Sequence, residues 1–357
     1  MRRARLGIIG GGTFGWFHLT AYSQLQREGK VELVALADIN EEVLERRARE
    51  FRVKTYKDYR EMLEREELDG VSVVTPDHLH REITLDALEA GVHVLVEKPM
   101  DLTVEGALEM AERARKKGLL LQVDFHKRYD PYHIELKRAI EEGRVGEVEY
   151  GYSWMEDRID VPKEMLKAWA ERSSPVWFLG VHMFDLARWL MGGPKAKRVY
   201  AFGWKRKLAS MGVDTYDAIK TTVEFENGAV FTFDNSWILP EGFEAIVHQG
   251  IRVVGTEGVV EVDSQYRGAR GCSTAEGMFT WNMGYKVLDT DERGRPVWRG
   301  YGLESIAEFA LNVNVLINGG GMKDLKGKFA TAEDGVEATR IAVSAHESLE
   351  SGRVVEL

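Results

Sequence analysis

The chain has 357 residues, 44% of them hydrophobic and 30% charged, and a formal net charge of -10 at pH 7, which is room for two domains with separate cores. Its acidic balance argues against nucleic acid, which needs a basic face. No apolar run reaches the roughly 20 residues of a membrane span, and the lone Cys272 rules out an internal disulfide framework and fits a reducing cytoplasm as a buried or incidental thiol.

The opening MRRARLGIIGGG loses its apolar run at a glycine cluster, too early for a secretory signal. RLGIIG (5–10) predicts a strand, followed by a helix to about residue 26. VELVALAD (31–38) predicts a second strand, and EEVLERRAREF a helix with Val43, Leu44, Ala48 and Phe51 on one side. GVSVVTP (70–76) and HVLVEKP (93–99) are further strands, with the helix EITLDALEAG between them. LTVEGALEMAERARKKG predicts a helix capped by Thr103 and ended by Gly118, and LLLQVDF closes the series. Apolar strands alternating with helices predict an α/β domain, a doubly wound parallel sheet covered on both faces.

After DPYHIELKRAIEEG, a helix, the chain turns β-rich. Asn227-Gly228 between two alternating runs predicts a hairpin, and IRVVGTEGVVEVD another turning at Gly258. Neighbouring hairpins imply an α+β domain on a large, open, mostly antiparallel or mixed sheet. Helices return at about 304–317 and 332–349, separated by a surface loop at 318–328. The expected domains are a Rossmann-type unit at 1–125, a substrate and oligomerisation unit at 126–330, and a helix and tail at 331–357.

Gly10, Gly12 and Gly15 of GGGTFG form a G-x-G-x-x-G match that follows a predicted strand and opens a helix. Such glycines admit a pyrophosphate against a helix N-terminus. Thr13 and Phe14 fall inside the same turn. Asp38, followed by Ile39, ends the next strand where a carboxylate binds ribose hydroxyls and repels the extra phosphate of NADP, so NAD is favoured over NADP. Thr75 and Pro76, and Glu97 and Lys98, sit at later strand ends, where ligands bind in such sheets. His78 and His80 of TPDHLH join this cofactor edge; their spacing suits a helix start better than a metal site, and no metal is expected. Position alone leaves two readings of Lys98 equal, a desolvated acid–base group or a solvated partner of Glu97. In WFLGVHMFD (177–185), helical spacing would put Phe178, His182 and Asp185 on one surface, and spacing alone favours a core histidine.

The ordered set GGGTFG, ADIN, TPDHLHREITLDALEAGVHVLVEKPM, FHKRYDP, GVHMFD and TAEDGVEATRIAVSAHESLESGRVVEL resembles the Gfo/Idh/MocA family, that of glucose–fructose oxidoreductase and inositol dehydrogenase. The resemblance spans nearly the whole chain. It implies a Rossmann domain followed by an open-sheet domain, with substrate on one sheet face and subunit contacts often on the other. It further implies that Lys98 meets nicotinamide and substrate, often before a cis proline bond, that Arg128 lies near cofactor or substrate, and that His182 is the acid/base. Many members carry aspartate four residues before that histidine, where this chain has Phe178; Asp185 then becomes the candidate to orient His182.

The function implied is NAD-dependent, reversible oxidation of a secondary alcohol of a sugar, glycoside or cyclitol, in a cytoplasmic homodimer or homotetramer. The alternatives are a glycosidase working by transient oxidation and a catalytically silent sensor. Trp154, Trp169 and Trp177, with Tyr216, are candidates to line the sugar pocket, and Glu156, Asp157 or Arg158 to bind hydroxyls; core or interface indoles are the competing reading.

Overall fold

The computed structural model describes residues 2–266, 268–325, 327 and 329–357. The chain forms two compact units, Met1–Asp130 with Gly284–Val336, and Pro131–Met283 with Glu337–Leu357.

In the first unit, the alternation seen in the sequence becomes β1 (Ala4–Ile9), α1 (Thr13–Arg27), β2 (Val31–Ala37), α2 (Glu41–Phe51), β3 (Lys54–Tyr56), α3 (Tyr59–Arg65), β4 (Gly70–Val73), α4 (His80–Glu89), β5 (His93–Val96), α5 (Val104–Lys117) and β6 (Leu121–Val123). The short β3 and α3 carry no strong pattern and were not expected. The strands lie parallel in the order β3-β2-β1-β4-β5-β6, that of a doubly wound dinucleotide fold. Local chemistry sets the helix ends: Thr103 Oγ1 accepts from the Gly106 amide at the start of α5, and Gly118 takes the left-handed conformation that stops it.

The second unit begins with α6 (Pro131–Glu141), β7 (Val148–Arg158), α7 (Val181–Leu190), β8 (Ala196–Trp204), β9 (Ala218–Phe225), β10 (Val230–Leu239), β11 (Val247–Gly255), β12 (Val259–Asp263), β13 (Arg270–Ser273) and β14 (Gly277–Thr280). The expected hairpin forms, with Gly228 at φ 86° donating to the Phe225 carbonyl. β12, β11, β7, β10, β9 and β8 make one sheet in that order, antiparallel except where β7 runs parallel to β10. Strand alternation gives it two unlike faces. Ser153, Met155 and Asp157 of β7 are buried with Phe231, Phe233 and Trp237 of β10 on the face covered by α7, whose Phe184 packs edge-on to Phe233 at 4.8 Å. Tyr150, Tyr152, Trp154 and Glu156 point the other way.

The chain then returns to the first unit with β15 (Val287–Thr290), β16 (Pro296–Arg299), α8 (Tyr301–Ile317) and β17 (Ala330–Thr331). It ends with α9 (Ala332–Ser351), within which the division between units falls, and β18 (Val355–Glu356). This differs from the expected domain at 126–330. Leu303, Ile306, Phe309 and Val313 of α8 join Leu6, Ile8 and Leu19 in one core, each fully buried side chain worth about 1.5–3 kcal/mol, which holds 284–336 to the Rossmann sheet. The β15–β16 hairpin lies over α1, with Lys286 Nζ within 5.3 Å of the ring centres of Trp16, Phe17 and Trp298. β17 extends the first sheet antiparallel to β6, and β18 extends the second antiparallel to β8. Of the loop expected at 318–328, Lys326 and Lys328 lie outside the described residues. Cys272 is exposed rather than buried.

Candidate cofactor and catalytic sites

The turn between β1 and α1 is built for a close visitor. Gly10 sits at φ 103°, and a Cβ there would stand 2.1 Å from the Val74 carbonyl oxygen. A Cβ on Gly15 would stand 2.1 Å from the Gly10 carbonyl oxygen, so α1 packs tightly onto the turn. Gly12 differs: it is exposed, and no described atom lies within 4 Å of where its Cβ would be. It also precedes a first helical turn with no side-chain cap and no acidic residue, leaving amide hydrogens for an anion. The turn therefore fits the pyrophosphate of a dinucleotide. Asp38 follows β2; its Oδ2 accepts from the Gly11 amide at 2.7 Å and its Oδ1 from the Asn40 amide at 2.8 Å. Each oxygen keeps a lone pair for a ribose hydroxyl. Ile39 is 90% exposed beside it.

Sequence reasoning missed Arg47. It is buried on α2, donating from Nε to the Gly11 carbonyl at 3.0 Å and from Nη2 to the Gly12 carbonyl at 3.1 Å, so it braces the turn from below. Its only sequence signal is an arginine on the apolar side of α2.

At the ends of β4 and β5, Thr75 and Pro76 are half-buried, and His78 is exposed. His80 is fully buried with Nε2 2.8 Å from the Thr75 carbonyl and Nδ1 2.7 Å from that of Pro99, so it ties two strand-end loops together. Both ring nitrogens face carbonyl oxygens, of which a neutral imidazole donates to one, so His80 braces the two loops that border the expected cofactor edge. Lys98 is 6% exposed, with Nζ 6.0 Å from the centre of the Phe14 ring, and the Lys98-Pro99 bond is cis. Burial excludes the solvated-lysine reading. Arg128 is likewise buried; Nη2 pairs with Asp334 at 3.2 Å and Nη1 donates to the Phe329 carbonyl at 3.3 Å.

Around Lys98 lies a buried polar cluster. Glu97 Oε2 accepts from the Lys98 amide at 3.2 Å, and Oε1 lies 3.2 Å from His18 Nε2. Asp124 Oδ2 is 3.8 Å from the same nitrogen. One potential ligand atom from each of His18, Glu97 and Asp124 lies within 4.8 Å of the others, a grouping the sequence pass did not find. Burial and then the Glu97 charge push the Asp124 carboxyl well up. Burial pushes Glu97 up too, but the His18 hydrogen bond and nearby positive charges bring it below its usual range. Burial, with Lys127, pushes His126 down to about 3.

In the second unit, residues 177–185 are not one uniform helix. Val176–Gly180 make a wider π-type turn before α7 begins at Val181, a feature frequent at functional sites. His182 and Asp185 are 2% and 0% exposed on consecutive turns of α7. Phe178 is buried, its ring centre 6.1 Å from that of Trp169 and 5.9 Å from that of Trp237, a dry surround at the position where the family resemblance leads to the expectation of an aspartate.

The tryptophan candidates separate. Trp169 is half-buried beside Phe178. Trp177 is 9% exposed and stacked on the His346 ring at 5.2 Å, and Tyr216 meets the same imidazole edge-on at 6.5 Å, so both pack against His346. Trp154 pairs across the sheet with Asp234 and Gly250 on the face opposite α7, beside Tyr152 and His248, and so is not grouped with His182. Glu156 shares that outer face; Asp157 is buried on the α7 side, and Arg158 pairs with Asp160.

Comparison with known proteins agrees with this geometry. Residues 4–125 match the oxidoreductase family with an NAD-binding Rossmann fold, and residues 133–261 match the GFO/IDH/MocA C-terminal domain. The chain is 26% identical over 356 residues to myo-inositol 2-dehydrogenase of Thermotoga maritima, covering 99% of this chain and 98% of that one. It is 31% identical over 255 residues to D-glucoside 3-dehydrogenase of Escherichia coli, covering 66% and 70%. The solved structure of scyllo-inositol dehydrogenase from Lactobacillus casei with bound NAD(H) and scyllo-inositol has the same fold, with a TM-score of 0.78 over 99% of both chains at 20% identity. A glycine turn open only at Gly12, a buried lysine before a cis proline and both domain matches lead to one conclusion: the chain belongs to the Gfo/Idh/MocA family of oxidoreductases, with an NAD-binding Rossmann domain at its N-terminal end.

Proposed function

We propose that this protein is a dehydrogenase that reversibly oxidises a secondary alcohol of a cyclitol, sugar or glycoside, using NAD in preference to NADP. The burial of Lys98 beside Phe14 of the dinucleotide turn carries the reading, because a desolvated lysine there is placed to exchange a proton with a hydroxyl. The bound nicotinamide supplies the hydride acceptor. The chain's own part is to hold the pyrophosphate over Gly12, to present Asp38 to the ribose, and to manage the proton. In this reading Lys98 polarises the substrate oxygen, His182 takes its proton, and Asp185 on the next helical turn orients the imidazole in place of the aspartate that Phe178 displaces. Trp169 and Arg128 serve substrate binding. The relatives named for inositols and for a D-glucoside support this substrate class.

Exposed Tyr150, Phe202 and Trp204 on the outer face of the second sheet support a second copy as partner in the cytoplasm. No helix among the described residues is long and apolar enough to cross a membrane.

Near-ultraviolet absorbance after mixing with NAD or NADP and separate inositols, aldoses and glycosides tests the reading. NADH formed with one polyol class, and absent in a Lys98→Ala, His182→Ala double variant, is expected. Silence with every polyol overturns it. The dry packing of Phe178 would then favour the second reading, a transient-oxidation glycosidase or a sensor.

A further inference from the structure

The neighbours of Lys98 follow from strand register. β5 and β6 run parallel with Val96 opposite Val123, and the Asp124 amide donates to the Val96 carbonyl at 3.0 Å. The next residue on each strand is therefore a carboxylate, Glu97 beside Asp124, with His18 of α1 reaching both. Two adjacent buried carboxylates do not both ionise without large cost.

The hydrogen-bond geometry points to where the protons lie. Among the described residues His18 Nδ1 is fully buried with no hydrogen-bond partner, which favours the tautomer with its lone pair there and with Nε2–H donating to Glu97 Oε1. Glu97 is engaged at both oxygens, by His18 and by the Lys98 amide. Among the described residues, Asp124 Oδ1 is buried with no well-formed hydrogen bond, the Ser305 hydroxyl being its polar neighbour, a state far less costly for a neutral acid than for a carboxylate. We propose that Asp124 is a positioning residue: a neutral carboxylic acid that shares its proton with the Glu97 carboxylate, so that one negative charge, not two, stands beside Lys98.

The proposal rests on the role given to Lys98 above, and the electrostatics agree with it. Besides Glu97, the groups facing Asp124 are the Ser305 hydroxyl, which favours the carboxylate but is outweighed by burial and the Glu97 charge, and His18, Lys98, Tyr22 and Tyr129, with His126 and Tyr285 adjoining Glu97. Burial keeps the three tyrosines neutral, and His126 is held neutral as well. After His18, whose contact lowers the Glu97 pKa most, Lys98 lowers it further, and by reciprocity the Glu97 charge favours the Lys98 ammonium. The charge carried by this pair therefore sets the pH at which Lys98 gives up its proton.

Infrared spectroscopy of the ligand-free protein at pH 7 tests the proton directly. A protonated-carboxyl carbonyl band that disappears in Asp124→Asn is expected; its absence from the wild type, or its survival in the variant, overturns the proposal whether or not any polyol is oxidised. Elemental analysis adds a check: a stoichiometric divalent ion, lost in Asp124→Asn, would mean that the cluster holds a metal instead of a proton. Where turnover is found, Glu97→Gln removes the charge and moves the alkaline-falling limb of kcat, where Lys98 loses the proton with which it polarises the substrate oxygen, down by about one pH unit. Asp124→Asn replaces one neutral donor by another and leaves that limb in place. A shift in Asp124→Asn as large as in Glu97→Gln would show that both carboxylates are ionised; loss of kcat without any shift in Glu97→Gln would leave the cluster a merely structural role. Either result refutes the proposal.

Discussion

Replacing Gly12 with alanine separates the anion-binding role of the turn from its structural one. The residue is exposed at φ -63° and ψ -152°, and a methyl group meets no described atom within 4 Å, so the fold itself does not resist the change. Alanine is a poorer residue than glycine before a helix, and that costs about 0.5–1 kcal/mol. The same methyl occupies the space through which a pyrophosphate reaches the α1 amides. One charge-assisted hydrogen bond is worth about 1.5–3 kcal/mol, which converts to a roughly ten- to hundredfold higher Kd for NAD. Gly10→Ala is the contrast: its φ of 103° and the Val74 carbonyl at 2.1 Å make it a folding defect, with stability lost before binding is asked about. Thermal melts and NAD titrations on both variants read the two effects apart. A Gly12→Ala protein that melts within a few degrees of wild type and binds NAD within twofold of it would refute the argument, because the pyrophosphate would then not pass over Gly12.

Three further outcomes follow from the geometry. Burial, then the Asp234 charge, raises the carboxyl of Glu156, so the folded state favours its protonated form and stability falls as pH rises through the unfolded value of 4.5. Glu156→Gln should therefore raise the melting temperature at pH 7 and leave it unchanged at pH 3.5; an equal gain at both would remove the carboxylate as the cause. Burial lowers the pKa of His346, so protons are taken up more readily by the unfolded chain, and the second unit loses stability as pH falls through the ordinary histidine value of 6.5. His346→Gln should flatten that slope in melts between pH 7.5 and pH 5, and an unchanged slope would point to another group. Trp177→Ala opens a core and should cost about 3–5 kcal/mol in denaturant melts. Trp169→Ala should instead raise the KM for the oxidised polyol several-fold with little loss of stability, and Trp154→Ala should leave KM alone; a KM effect confined to Trp154→Ala would reverse this assignment.

What the sequence disclosed and what it withheld divide along physical lines. The glycine turn, the Thr103 and Gly118 helix ends and the Asn227-Gly228 hairpin were legible because backbone conformation there depends on a few adjacent residues. Lys98 and His182 were legible as candidates through the family resemblance, since their spacing alone admits a surface lysine and a core histidine. The return of α8 to the first unit was not legible, because an apolar helix face does not say which sheet it will cover. Nor was the fate of Trp154: without β7 identified as a strand, nothing told odd from even positions, and a one-residue shift reverses the face. The Glu97–Asp124 neighbourhood comes from lateral register between β5 and β6, and Arg47 from packing of α2 beneath the turn; neither leaves a local trace.

The pairing of β18 with β8 has a bearing on how the protein would be handled. Only Val355 and Glu356 stand along a nine-residue strand, opposite Val199 and Arg198. So small a ladder adds little stability, but it occupies part of an edge whose free amides and carbonyls would otherwise accept any extended segment. A purification tag fused directly after Leu357 would pull on that pairing, and a trimmed C-terminus would uncover it. In either case trouble would come as strand-mediated self-association at high concentration, while the dinucleotide turn, in the other unit, stayed intact.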